Sequence, residues 1–193
     1  MIDAELSAYR DIATYATAAV PANILAAILE KQAREWPDSY TTQKMMINAE
    51  VSAYRAVTTY ATASVPANIL SSIIEKQARE WPDSYSTRKM MIDAEVSAYR
   101  TITTYTTSAV PANILSAILA KEAREWPESY STQKMMIDAE VSAYASLQTY
   151  TAPEVPTAVL RGMLAEQARE WPDSYTTQKM MVDAAVSSYI AAH

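Results

Sequence analysis

Cysteine is absent from this chain, glycine occurs once (Gly162) and histidine once (His193). Without cysteine there is no disulfide framework, thiolate zinc site or cysteine nucleophile. Without an internal histidine, the imidazole triads and most protein zinc sites cannot be assembled. A lone glycine builds no phosphate-cradling loop, and a β-propeller, which needs turn glycines, is excluded with it. Long apolar runs are also lacking: none approaches the roughly 18 residues that a membrane-spanning helix requires. The formal charge of -6 argues against nucleic acid as a partner, because phosphate neutralisation needs clustered Lys and Arg. Lys31 and Arg34 do recur in later copies, but acids flank them. The opening MIDAELSAYRD carries charge where an export signal would carry a basic patch and then an apolar block. A cytoplasmic protein is therefore the expectation, in keeping with the missing cysteine.

What the chain has in abundance is repetition. REWPDSYTTQKMM at position 34 returns as REWPDSYSTRKMM at 79, REWPESYSTQKMM at 124 and REWPDSYTTQKMM at 169. Trp36, Trp81, Trp126 and Trp171 are 45 residues apart, and Pro21, Pro66, Pro111 and Pro156 keep the same interval. All 13 tyrosines fall into three columns at this period: Tyr9, Tyr15 and Tyr40 with their later equivalents. A period in this range denotes a solenoid, propeller or array.

Each unit holds two helical patterns. On the longer, Ile92, Tyr99, Val96, Met91, Ile102, Ala98 and Tyr105 fill about half the circumference at 100° per residue, the mark of a wide buried face. On the shorter, Ile69, Leu70, Ile73, Ile74, Ala78 and Trp81 lie on one side, and Glu75–Arg79 and Lys76–Glu80 pair at i,i+4 on the other. Proline after tryptophan ends the short helix, and Asp38 or Ser39 is placed to cap the long one that follows. Trp36 is expected to fill the wedge at that corner, its N–H bonded to a carbonyl. Val-Pro-Ala-Asn starts the short helix, with Asn23, Asn68 or Asn113 as cap. Nine helices follow, near 3–18, 22–35, 39–62, 67–80, 84–107, 112–125, 129–152, 157–170 and 174–191. The fold class is all-α: tandem 45-residue helical hairpins stacked as an α-solenoid, four repeats (1–45, 46–90, 91–135, 136–180) plus a closing helix at 181–193, in one domain over 1–193.

The string W-P-D-x-Y-x-x-Q, followed by A-Y at the far end of the same helix, resembles short helical segments of uncharacterised bacterial proteins. It covers every copy and implies no activity. The HEAT and armadillo class is similar in period and helicity alone.

Polar residues inside the apolar arcs are the candidates for chemistry. Glu5, Glu50, Glu95 and Glu140 form one column, with Ala185 in the last helix; Gln32, Gln77, Glu122 and Gln167 form another; Gln43, Arg88, Gln133 and Gln178 a third. Buried polar groups must find partners. An internal hydrogen-bonded ladder through Glu50, Glu95, Glu140, Gln77, Arg88 and Glu122 is expected, with tyrosine hydroxyls among the partners. Arg88 and Glu122, which replace glutamine in the same repeat, are expected to compensate one another. Neither catalytic residues nor a cofactor nor a metal follows from these patterns.

Two functional readings result. In the leading one the chain is a non-catalytic scaffold that binds proteins, itself foremost, as a homo-oligomer or filament. The first helix keeps Ile2, Leu6, Tyr9 and Ile12 with no preceding repeat over them, and Ala185 and Ile190 make the last helix less polar than its siblings. Unlike ends that meet generate filaments or rings. In the alternative, tyrosines with Asn23, Asn68 and Asn113 line a groove for an extended peptide or glycan. One methionine of each pair, as in Met45–Met46, is placed to reach a second surface.

Overall fold

The computed structural model describes residues 2–193. All regular structure among them is α-helical: α1 (Ile2–Ala13), α2 (Ala22–Glu35), α3 (Tyr40–Thr58), α4 (Ala67–Glu80), α5 (Tyr85–Thr103), α6 (Ala112–Glu125), α7 (Tyr130–Gln148), α8 (Thr157–Glu170) and α9 (Tyr175–Ala192). Long and short helices alternate, as the pattern requires. No helix among the described residues is long and apolar enough to cross a membrane.

The short helices have sharp ends for backbone reasons. Each is preceded by an N-cap proline in extended conformation, Pro21 at ψ 142 for example. Its carbonyl accepts the first intrahelical bond, from the amide of Leu25 at 3.0 Å. Proline thus takes the place expected for asparagine. Asn23, Asn68 and Asn113 sit one residue inside the helix, exposed, and α2, α4 and α6 have no side-chain cap bond. At the other end the tryptophan is the C-cap, its amide donating to the Gln32 carbonyl at 3.0 Å in the first copy. The indole is not a wedge: Trp36, Trp81, Trp126 and Trp171 are 41–43% exposed. The following proline forces the corner by itself.

Helices α3, α5 and α7 stop four residues short of the ends that their pattern predicts, and α1 five. Thr58 Oγ1 bonds the Tyr54 carbonyl at 3.0 Å and Thr59 Oγ1 the Arg55 carbonyl at 2.8 Å, and the Tyr60 amide tightens onto Val57 O at 3.3 Å. Threonines that compete for backbone carbonyls close the helix. Tyr15, Tyr105 and Tyr150 make the same three-residue return.

The helices gather into two compact units, Met1–Val96 and Ser97–His193, with the division inside α5. In the first, α1 and α2 both pack on α3; in the second, α6 packs on α7, and α7 and α8 on α9. Within each unit the hairpins thus pack in the repeated manner of an α-solenoid. The cores repeat too. Val20, Ile28, Ile47 and Val51 form a buried cluster in the first unit. Their equivalents Val110, Ile118, Ile137 and Val141 form one in the second, beside a third cluster around Leu160, Val182 and Val186.

Candidate functional site

A helix start leaves its first amides without intrahelical partners. In α9, Ser174 is the N-cap and its Oγ accepts from the amide of Thr177 at 3.3 Å. The remaining orphans are met from another helix. Glu140 of α7 accepts from the Tyr175 amide at 2.6 Å, the Thr176 amide at 3.4 Å, Thr176 Oγ1 at 2.8 Å and Ser174 Oγ at 3.3 Å. Glu50 of α3 does the same for α5, through the Tyr85 amide at 2.6 Å, Ser84 Oγ at 3.3 Å and Ser86 Oγ. Glu5 reaches the Thr41 amide at 3.2 Å and Ser39 Oγ at 3.5 Å. Bonds from Thr41, against a smaller opposing effect of burial, hold its carboxyl below the usual carboxylate range. Glu5, Glu50 and Glu140 are therefore remote helix caps, each carboxylate of one long helix closing the positive end of another. Glu50, Glu95 and Glu140 are almost wholly buried, at 3%, 2% and 1% exposure.

The third column closes the same corner from the other side. Gln43, Gln133 and Gln178 donate through Nε2 to the carbonyls of Trp36, Trp126 and Trp171 at 2.6–2.7 Å. Arg88 does this work in the second copy, donating to Trp81 O and Pro82 O, both at 3.0 Å, while its guanidinium lies 4.6 Å from the Tyr85 ring centre. Its charge thus has local partners.

Tyrosine hydroxyls, expected to serve the glutamates, go elsewhere. Tyr15 donates to Asn48, Tyr60 to Asp93, Tyr105 to Asp138 and Tyr150 to Asp183, at 2.7–2.9 Å. The acids also hold lysines one turn back, Lys89, Lys134 and Lys179. Asn48 offers no charge, and Lys44 turns instead to Asp11 at 2.5 Å. Burial, and then the bond to the acid, pushes Tyr60 and Tyr150 up to about 12. A second set of rings meets edge to face, Tyr9–Tyr40, Tyr54–Tyr85 and Tyr144–Tyr175, with centres 5.0 Å apart.

The short-helix column is different. Gln32, Gln77 and Glu122 are 1%, 0% and 0% exposed, and neither side-chain polar atom of Gln77 has a partner. Such an omission costs about 1–3 kcal/mol. Glu122 Oε1 lies 3.3 Å from Lys121 Nζ, an ion pair without hydrogen-bond alignment, and Lys121 donates to Glu140 Oε1 at 3.1 Å. Burial pushes the Glu122 carboxyl up, with Lys121 offsetting part of it. Burial also works against the Lys121 charge, but its hydrogen bond to Glu140 and the attraction of both carboxylates outweigh that and hold its pKa above the usual value.

A raised carboxyl keeps its proton in the folded state to a higher pH than in the unfolded chain. Its contribution is therefore fully present below the ordinary carboxylate range and is lost as pH rises through the elevated folded value. Glu122→Gln, which restores the residue of the other copies, is expected to remove this decline and to gain about 1 kcal/mol at neutral pH. Denaturant titrations of both proteins across pH measure it, and parallel pH profiles would contradict it.

A cleft of about 310 Å³ beside α2 is lined by Lys31, Arg34, Asp83 and Tyr85, and one of about 270 Å³ beside α6 by their equivalents Lys121, Arg124, Asp173 and Tyr175. The first methionine of each pair is exposed, Met45, Met90, Met135 and Met180 at 60–61%. Among the described residues no cluster of three or more His, Cys, Asp or Glu could hold a metal. On α1, Ile2, Leu6 and Tyr9 are 83%, 47% and 50% exposed, whereas Ile12 packs against the Val20 cluster. On α9, Ile190 is 44% exposed and Ala185 half-buried. The column mates of Ile2, namely Ile47, Ile92, Ile137 and Val182, are all 0% exposed. No family model, curated protein or solved structure matches this chain.

The serines and threonines that serve the glutamates were missed by sequence reasoning. The signal was present: Glu50 and Ser84, and Glu140 and Ser174, stand 34 residues apart.

Proposed function

We propose that this protein is a non-catalytic scaffold whose work is contact with other proteins, including end-to-end association with its own copies. The observation that carries this reading is the contrast within one column, Ile2 at 83% exposure against 0% for its four equivalents. An apolar face of this kind marks an interaction site. The fate of the polar columns supports it: the carboxylates of Glu5, Glu50 and Glu140, which acid–base chemistry would need, are engaged in capping helices. Exposed Asn23, Asn68 and Asn113 favour the peptide- or glycan-binding alternative, but the hydroxyls of Tyr15, Tyr60, Tyr105 and Tyr150 are already bonded within the chain.

Sedimentation across concentration tests the proposal. Particle size is expected to grow with concentration. Ile190→Arg, which restores the arginine of Arg10, Arg55 and Arg100, and Ile2→Glu are each expected to shift that growth to about tenfold higher concentration. A monomer at every concentration would contradict self-association.

A further inference from the structure

Two clefts of the same construction hold the same lysine in different places. We propose that Glu122 is a proton-operated latch on the α6 cleft: ionised, it draws Lys121 inward to Glu140, and protonated, it releases Lys121 to the Asp173 carbonyl on the opposite wall. All four residues lie in the second unit, and the latch is independent of end-to-end association.

The cleft beside α2 supplies the outward position. Ile28, Lys31 and Arg34 stand on one wall and Pro82, Asp83 and Tyr85 on the other. Lys31 Nζ donates across to the Asp83 carbonyl at 2.6 Å. Glu50, the equivalent of Glu140, is served by the Tyr85 amide and the Ser84 and Ser86 hydroxyls, and Lys31 is not among its partners. The cleft beside α6 has the same walls in Ile118, Lys121, Arg124, Pro172, Asp173 and Tyr175. There Lys121 turns inward, donating to Glu140 Oε1 at 3.1 Å with Glu122 Oε1 at 3.3 Å.

What differs is the residue after the lysine, Gln32 in the first cleft and Glu122 in the second. A neutral amide leaves the ammonium to a backbone carbonyl, whereas a second buried carboxylate attracts it. Two other differences do not account for the change. Glu30, which gives way to Ala120, lines the first cleft, but Lys31 pairs with Glu35 at 3.9 Å and not with it. Arg88, which gives way to Gln178, donates to the Pro82 carbonyl beside the one that Lys31 takes, so its charge opposes the outward position.

Glu122 is poised to lose its charge. It is 0% exposed, and neither carboxylate oxygen accepts a hydrogen bond. Of the charged groups that act on it, Lys121 favours the ionised form, against Glu125 of its own helix and Glu140 of α7. Burial holds its carboxyl above the usual range, so it takes up a proton before an ordinary carboxylate does. Protonation then leaves Lys121 in the surroundings of Lys31. Glu140 keeps its hold on α9 through the Tyr175 amide, as Glu50 holds α5 without a lysine.

Crystal structures of Glu122→Gln and Gln32→Glu in the whole chain test the two positions. In Glu122→Gln, which restores the residue of the other copies, Lys121 Nζ is expected to leave Glu140 and donate to the Asp173 carbonyl. In Gln32→Glu, Lys31 is expected to leave the Asp83 carbonyl for Glu50. Either lysine keeping its present place would overturn the latch, and should Gln32→Glu fail to fold, Glu122→Gln decides alone. Lysine nitrogen NMR tests the proton in the unaltered protein. The Lys121 ammonium resonance, identified by its loss in Lys121→Arg, is expected to shift with a midpoint above the ordinary glutamate value of about 4.3. It should move toward the position that it holds throughout in Glu122→Gln. A resonance that stays still above that value would overturn proton control.

Discussion

Glu140→Ala is expected to destabilise the protein by about 3–5 kcal/mol, the scale for removing one member of a buried, hydrogen-bonded charge network. The loss comes from what remains behind. The Tyr175 amide, Ser174 Oγ, Thr176 Oγ1 and Lys121 Nζ all donate to this carboxylate, which is 1% exposed. Alanine leaves them facing a void that water enters poorly, and an unpartnered buried donor costs more than a hydrogen bond contributes. Lys121 suffers most, because Glu122 alone would then oppose its burial. Glu140→Gln keeps the shape and one acceptor oxygen, so its cost should be smaller, about 2 kcal/mol. Equilibrium urea denaturation ranks the two variants. Glu5→Ala supplies the contrast: its carboxylate is half exposed, its donors reach water on mutation, and its effect should be the least of the three.

The second large effect lies in the isoleucine column. Ile47→Ala should cost about 2–5 kcal/mol, since Ile47 is 0% exposed and packs among residues of α2 and α3, where collapse around a cavity is incomplete. Ile2→Ala occupies the equivalent position and should change stability by no more than about 0.5 kcal/mol. Two identical substitutions in one column thus differ by a factor of several. Thermal melts at low concentration measure the difference, and equal losses would mean that α1 is covered in solution.

The period, the helix count and the short helices were legible because proline writes its effect into the local chain: Ala22–Glu35, Ala67–Glu80 and Ala112–Glu125 begin and end where the prolines require. The long helices before α9 end sooner than their periodicity predicts, as in α3, where Tyr60 continues the apolar arc although the Thr58 and Thr59 hydroxyls have already claimed the last carbonyls. Hydrophobic periodicity reports which side faces inward and carries no record of such competition. Asn23 looked like a cap because asparagine is a good one, yet the backbone of Pro21 had taken the position.

The polar ladder was legible as a requirement but not as a wiring. Burial of Glu50 and Glu140 followed from their place in the arc, whereas their partners lie 34–36 residues away at the start of another helix. Only packing brings those groups together. The exposed end face was visible in Ile2 and Leu6, because the copies that follow bury the same positions. Gln77 shows where pattern reasoning stops: it is buried, as expected, and its amide meets no partner.

Long helices of this protein are fastened together by a carboxylate at a helix start. Amide hydrogen exchange at Tyr175 reads this directly. In an ordinary helix the first amide is open to water and exchanges quickly. Here the Tyr175 amide is expected to be protected to nearly the level of the α9 interior, and to lose that protection in Glu140→Ala while the middle of α9 retains its own. Fast exchange at Tyr175 in the unaltered protein would contradict it.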